Sequence, residues 1–199
     1  MKRFALFVVI LAALALSACT ARFNINLFTA EEIVSQSFNT GGRPRVVVEM
    51  FNGGIDVITG SGTAVNVKVI KRGGGNSQPE AEADLRNVEV QMVQDGDTIR
   101  VTARRIDSRV DIGNSGASAN ITVPDGAVLD LRTGNGAITS SGAVADVRAR
   151  TSNGSITVIS ARGQLDLHTS NGQITVNGGS GLLKLESSNG GLDITADNV

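Results

Sequence analysis

Four copies of a short turn sequence recur at a constant interval of eighteen residues: Thr133-Gly134-Asn135-Gly136-Ala137-Ile138, Thr151-Ser152-Asn153-Gly154-Ser155-Ile156, Thr169-Ser170-Asn171-Gly172-Gln173-Ile174 and Ser187-Ser188-Asn189-Gly190-Gly191-Leu192. A short period that never drifts marks a stacked architecture, because one such unit cannot bury its apolar face alone and needs a neighbour of the same shape. Inside each unit the apolar residues alternate with period two. One stretch carries Ile138/Ser140, Ile156/Val158, Ile174/Val176 and Leu192/Ile194, and the other carries Leu129/Leu131, Val147/Ala149, Leu165/Leu167 and Leu183/Leu185. Alternation of this kind belongs to half-buried strands. Glycine in every unit and an apolar spacing of two exclude helices.

These stretches predict an all-β fold, a short parallel β-solenoid with 18-residue coils, regular over about 127–197. Asn-Gly is read as the source of the positive-φ residues that a tight turn needs. Stacking then places Asn135, Asn153, Asn171 and Asn189 in one structural turn ladder, each amide within reach of the next. Three outward columns follow from the same alignment. Asp130, Arg148, Asp166 and Lys184 form one, Arg132, Arg150, His168 and Glu186 the second, and Thr139, Thr157, Thr175 and Asp193 the third.

The pattern has an earlier, fragmentary copy. Val46 to Val57, with Asn52-Gly53-Gly54 at its centre, matches Leu183 to Ile194 position for position, and Ala119 to Val123 supplies another strand of the first type. Between them lies an N-terminal β-rich insertion. Val65, Val67 and Val69 alternate, Gly73-Gly74-Gly75 is read as a loop, and Glu80 to Asn87 as a short helix with Ala81, Leu85 and Val88 on one face. Val88–Val93 and Thr98–Ala103, joined by Asp95-Gly96-Asp97, read as a hairpin.

The N-terminus carries an address. Lys2 and Arg3 precede an apolar run from Phe4 to Leu16. At about 1.5 Å per residue that run is too short for a hydrocarbon core of roughly 30 Å, so it reads as a signal peptide over 1–18. Leu16-Ser17-Ala18-Cys19 resembles the bacterial lipobox, which implies acylation of Cys19 with palmitate-type chains and a mature protein held on a membrane by its first residue. More than one acyl chain on a single residue anchors stably. Thr20, rather than Asp, after the cysteine points to the outer membrane of a two-membrane bacterium, facing the periplasm or the cell surface. Residues 19–42 are read as a lipid-anchored tether and 43–199 as the domain, although Phe23, Leu27, Phe28, Ile33 and Phe38 can dock part of the tether.

Composition narrows the function classes. The chain has 18 Lys and Arg against 19 Asp and Glu, six Phe and no Tyr or Trp, so it lacks the basic, aromatic-bearing surface of a nucleic-acid binder. One Cys and one His leave no Cys/His zinc site and no internal disulfide. The glycines fall at turns, and no Walker loop, dinucleotide fingerprint or nucleophile elbow occurs. Asp95, Asp97, Asp193 and Asp197 are the acidic residues to weigh for calcium, but the repeats lack the acidic pattern of calcium-binding solenoids, and no metal or cofactor is expected.

The Ser/Thr-Asn-Gly-x-Ile/Leu turns, the Val88 to Thr102 hairpin and Ile121-Thr122-Val123-Pro124-Asp125-Gly126 together resemble the bacterial putative adhesin family, β-strand-repeat envelope proteins of unknown function. The resemblance covers about residues 43–199. It implies a solenoid-like fold and offers no catalytic residue to carry over. The expected function is a non-catalytic cell-envelope lipoprotein presenting a rigid surface for binding, adhesion or structural support, with an envelope protein or a glycan as partner and Thr139, Thr157 and Thr175 as the candidate binding column. Two alternatives stand beside it. Parallel β-helices include carbohydrate-active enzymes, for which Arg132, Arg150, His168 and Glu186 are the best cluster, and an envelope-stress system can use such a protein as a regulatory partner.

Cys19→Ser is expected to release the protein from membranes and to abolish incorporation of labelled fatty acid. Equal membrane retention of the variant in fractionated cells contradicts the anchor.

Overall fold

The structure, a computed structural model, describes residues 28–107, 115–179 and 181–195; Cys19 and Asp197 lie outside them. Fifteen strands and one helix follow one another along the described chain. They are β1 (Phe28–Asn39), β2 (Arg45–Met50), β3 (Ile55–Thr59), β4 (Ala64–Gly75), α1 (Gln78–Arg86), β5 (Val88–Asp95), β6 (Thr98–Arg105), β7 (Gly116–Val123) and β8 (Val128–Asn135). The repeats continue with β9 (Ile138–Ser141), β10 (Val147–Asn153), β11 (Ile156–Ile159), β12 (Leu165–Asn171), β13 (Ile174–Asn177), β14 (Leu183–Asn189) and β15 (Leu192–Thr195).

The fold is all-β with two open, mixed sheets. One has the order β1-β4-β7-β3-β9-β11-β13-β15 and the other β14-β12-β10-β8-β2-β6-β5. Each eighteen-residue unit contributes one strand to each sheet, and neighbouring units pair in parallel with a shift of eighteen, as in Val147↔Leu165 and Ile156↔Ile174. Alternate residues from both sheets form a single apolar cluster that includes Leu129, Leu131, Ile138, Ile156, Leu165, Leu167 and Ile174. In the regular repeats its side chains are the aliphatic Leu, Ile, Val and Ala, while Phe38 and Met50 join it from outside them.

The turn sequence is explained by three contacts per unit. The hydroxyl at its first position donates to the glycine carbonyl of the preceding unit: Thr151 to Gly136 at 3.0 Å, Thr169 to Gly154 at 2.9 Å and Ser187 to Gly172 at 2.8 Å. Thr133 makes the same bond to Gly53 at 2.8 Å, which ties the N-terminal copy into the series. The amides of Asn153, Asn171 and Asn189 donate to the side-chain oxygens of Asn135, Asn153 and Asn171 at 2.7, 2.9 and 2.9 Å. The glycine then lies flat against its predecessor. A Cβ on Gly154 would overlap the carbonyl of Gly136, and its φ of 156° is one that side chains rarely adopt. The asparagine does not take positive φ in any described unit, since Ser160 is the only described non-glycine residue with φ above zero; Gly53, Gly136 and Gly154 take it, and Gly172 and Gly190 make the same close backbone approach without it.

Stacking order departs from chain order. The N-terminal copy, β2 and β3, lies between β8 and β9 on one side and β6 and β7 on the other, so the chain returns across it between Val123 and Val128. Strand β7 is of the expected type but neighbours β3, not β9. Beyond β7 the eight-stranded sheet continues antiparallel with β4 and β1, and the seven-stranded sheet closes with the β5–β6 hairpin. In that hairpin Arg104 donates to Glu89 and holds its carboxyl below the usual carboxylate range.

Two expectations for this region need correction. The tether over 19–42 does not extend that far, because Phe28–Asn39 is a strand paired along its whole length with β4, with Ala30 and Phe38 buried. Glu32 and Gln36 share their strand face with Ala30, Val34 and Phe38, which hides the period-two signal in the sequence. Gly73-Gly74-Gly75 is the end of β4 and not a loop. A Cβ on Gly75 would come within 2.6 Å of the Cβ of Glu80, so the glycines let α1 lie directly on the strand. The helix starts at the Ser77 cap with proline in its first turn, and Asn76 N–H donates to Glu80 at 2.9 Å. Ala81 and Asp84 are its buried residues, and Asp84 accepts the Gly74 N–H at 2.9 Å.

Thr169→Val keeps the side-chain volume and removes a fully buried hydroxyl bond, and is expected to cost about 1–3 kcal/mol in urea unfolding. Gly154→Ala should cost roughly 2 kcal/mol or more through overlap and strain. Gln173→Leu, on an exposed turn position, should stay within about 0.5 kcal/mol. Equal effects of all three contradict the stacking contacts.

Candidate functional site

The outward face of the eight-stranded sheet carries the candidate binding column. Register places Ser35, Lys68, Asn120, Asp56, Thr139, Thr157, Thr175 and Asp193 in one row, one residue from each strand. Neighbouring members are about 4.8 Å apart. Thr139, Thr157 and Thr175 are half-buried. The next row runs Ser37, Asn66, Thr122, Ile58, Ser141, Ile159, Asn177 and Thr195.

Where β1, β4, β7 and β3 lie side by side, this face forms a groove of about 640 Å³ lined by Ser35, Ser37, Asp56, Ile58, Asn66, Lys68, Asn120 and Thr122, among others. That volume is in the range of small-molecule clefts. Residues bearing hydroxyls and amides line it, but most of the surface they present to the groove is apolar, with Ile58, 54% exposed, as its ridge. Lys68 and Asp56 stand two strands apart in the wall, so their charges cancel over the groove as a whole. Asp56 is also the register neighbour of Thr139, which joins the groove to the threonine column. The groove escapes a reading of the sequence because its four strands come from four separate parts of the chain, the stretch read as tether (β1), the N-terminal copy (β3), the insertion (β4) and an isolated repeat-type strand (β7), and no periodicity tells which of them are neighbours. The usable signal was the alternation Ser35/Ser37, Asn66/Lys68 and Asn120/Thr122, each a pair of polar residues around an apolar one or Gln36.

The outward face of the seven-stranded sheet brings together the two charged columns, where they pair with each other. Asp130 lies 3.2 Å from Arg132 and 3.6 Å from Arg45, and Asp166 lies 3.1 Å from Arg148 and 3.5 Å from Arg150. His168 Nδ1 is 3.4 Å from Glu186, and Arg132 also reaches Glu49 at 3.9 Å. Two carboxylates, the buried Asp130 and the half-buried Asp166, are each shared by two more exposed guanidinium groups, in a ladder of pairs within and between strands whose members neutralise one another. Among the described residues no group of three or more His, Cys, Asp and Glu side chains is placed to hold a metal ion. In the Asp-Gly-Asp turn Asp97 accepts the Gly41 N–H at 2.7 Å, which commits it to a chain contact.

No family model and no curated protein matches the sequence. Solved structures do. A protein from Clostridium sporogenes described as a putative cell adhesion protein aligns over 85% of this chain and all of its own, with 12% identity and a TM-score of 0.58. A putative adhesin from Bacteroides fragilis covers 82% of this chain and 97% of its own at 10% identity, with a TM-score of 0.29. The first of these shares the fold. Among the described residues no helix is long and apolar enough to cross a membrane.

Arg150→Ala leaves Asp166 with Arg148, and His168→Ala removes an exposed contact, so each is expected to change stability by under about 1 kcal/mol in thermal or urea unfolding. A loss several times larger in either variant contradicts the surface-ladder account of this face.

Proposed function

We propose that the chain is a non-catalytic cell-envelope lipoprotein, anchored through Cys19, whose short parallel β-solenoid presents a rigid surface for binding, adhesion or structural support. The observation that carries this reading is the contrast between the two outward faces. On the seven-stranded sheet most charged side chains of the two columns are engaged with one another; on the eight-stranded sheet hydroxyls and amides stand in register beside a groove. The parallel pairing at a constant shift of eighteen, the glycine contacts and the threonine bonds support the solenoid description and fix the spacing of whatever those hydroxyls meet. Adhesin names among the structural neighbours support a role in the envelope or outside the cell.

The lipid anchor supplies the location in this reading. The partner is an envelope protein or a glycan, held at the threonine column and the groove, with neither cofactor nor metal required. The carbohydrate-active alternative would need a charged column to act on substrate; the pairing of Asp130 and Asp166 with two arginines each favours the structural role.

A photo-crosslinking residue at Thr157 or Asn120 in the lipidated protein is expected to capture a discrete envelope component from intact cells, and the same residue at Arg150 is expected to capture none. Equal capture at all three positions, or cleavage of envelope polysaccharide that is lost in His168→Ala, overturns this function.

A further inference from the structure

The last described repeat unit is built like the one before it but stands uncovered. Ile174 and Val176 of β13 are 0% and 2% exposed, whereas Leu192 and Ile194, their register partners in β15, are 49% and 46% exposed. In the other sheet Leu165 and Leu167 are buried, while Leu183 and Leu185 of β14 are half-buried. Among the described residues nothing pairs with the far edges of β14 and β15. The opposite end of the stack differs, since there antiparallel β1 and β5 finish the sheets and α1 packs against β1, β4 and β5.

We propose that a second copy of this chain covers β14 and β15, joined antiparallel about a two-fold axis that runs perpendicular to the sheets, midway between the two copies of Leu185 and midway between the two copies of Ile194. One axis can serve both sheets, because Leu185 lies four residues before Asn189 and Ile194 four residues after Gly190, at matching depths from the turn. Each sheet then continues into that of the other copy, and the apolar columns meet their own counterparts. Charge selects the register. With Leu185 on the axis, Lys184 faces Glu186 of the second copy; centring on Lys184 or on Glu186 would set like charges opposite each other. With Ile194 on the axis, Asp193 faces Thr195 of the second copy, whereas centring on Asp193 would oppose two carboxylates. Head-to-tail growth lacks a matching end, because α1 and the antiparallel strands occupy the other pole of the stack. The assembly therefore closes at two copies and does not extend into a filament.

The test uses the full chain with Cys19→Ser, so that an added cysteine is the only one and the outcome does not depend on lipidation. Opposed Cβ atoms of an antiparallel pair are about 4.5–5.5 Å apart, close to the reach of a disulfide. Leu185→Cys is thus expected to give a covalent dimer on mild oxidation, and Arg150→Cys none. Sedimentation should show a dimer that Lys184→Glu weakens about tenfold or more and that Lys184→Glu with Glu186→Lys restores, while circular dichroism melts confirm that every variant is folded. A monomer at every concentration, open-ended growth, or crosslinking at Arg150→Cys equal to that at Leu185→Cys overturns the proposal. Failure of the charge exchange to restore association overturns the register.

Discussion

A glycine backbone laid against the glycine of the preceding unit is the constraint on which the rest of the structure depends. At Gly154 neither a Cβ nor an ordinary φ can be accommodated, and the close approach brings the Gly136 carbonyl within reach of the Thr151 hydroxyl. The hydroxyl satisfies a carbonyl that would otherwise be buried at the turn without a partner. Asparagine side chains then bond one another from unit to unit along the same corner. Because these contacts fix the distance and register between units, the aliphatic columns inside meet like on like, and the core closes with hardly an aromatic side chain.

The same geometry determines how the stack finishes. A parallel unit exposes two strand edges and one apolar layer, and such an edge needs a cover. At one pole the insertion and β1 supply it: β4 and β1 turn antiparallel, the β5–β6 hairpin closes the other sheet, and α1 settles on the glycines at the end of β4. Asp84, wholly buried, holds that junction by accepting the Gly74 N–H. Together β4 and β1 widen the outward sheet from six parallel strands to eight, which makes the groove.

Function follows from what the two outward faces have left to offer. Cross-strand ion pairs engage most of the two charged columns of the seven-stranded sheet internally, so that surface has little unbalanced charge to direct at a ligand. The eight-stranded sheet keeps its hydroxyls and amides free on a rigid lattice, with Lys68 and Asp56 balancing each other in the groove wall. On the proposed function, a surface of this type would meet its partner through shape and many weak hydrogen bonds.

The sequence by itself determined the repeat and everything that repeats with it. Period two chose strands, period eighteen chose the stacking shift, and together they placed Thr139, Thr157 and Thr175 in one column and Asn135, Asn153, Asn171 and Asn189 in another, because local alternation and a constant interval fully specify pairing between identical units. The turn threonine recurs visibly at 133, 151 and 169, but its acceptor lies in the neighbouring unit, fifteen residues back for Thr151 and Thr169 and eighty for Thr133, and no local rule names it. Tertiary structure alone decided where the unrepeated strands go. That β2 and β3 lie between units that follow them in the chain, that Phe28–Asn39 pairs with β4, and that Ser35, Lys68, Asn120 and Asp56 share one groove are outcomes of long-range pairing. Several registers satisfy the same alternation, and only burial of the whole core distinguishes them.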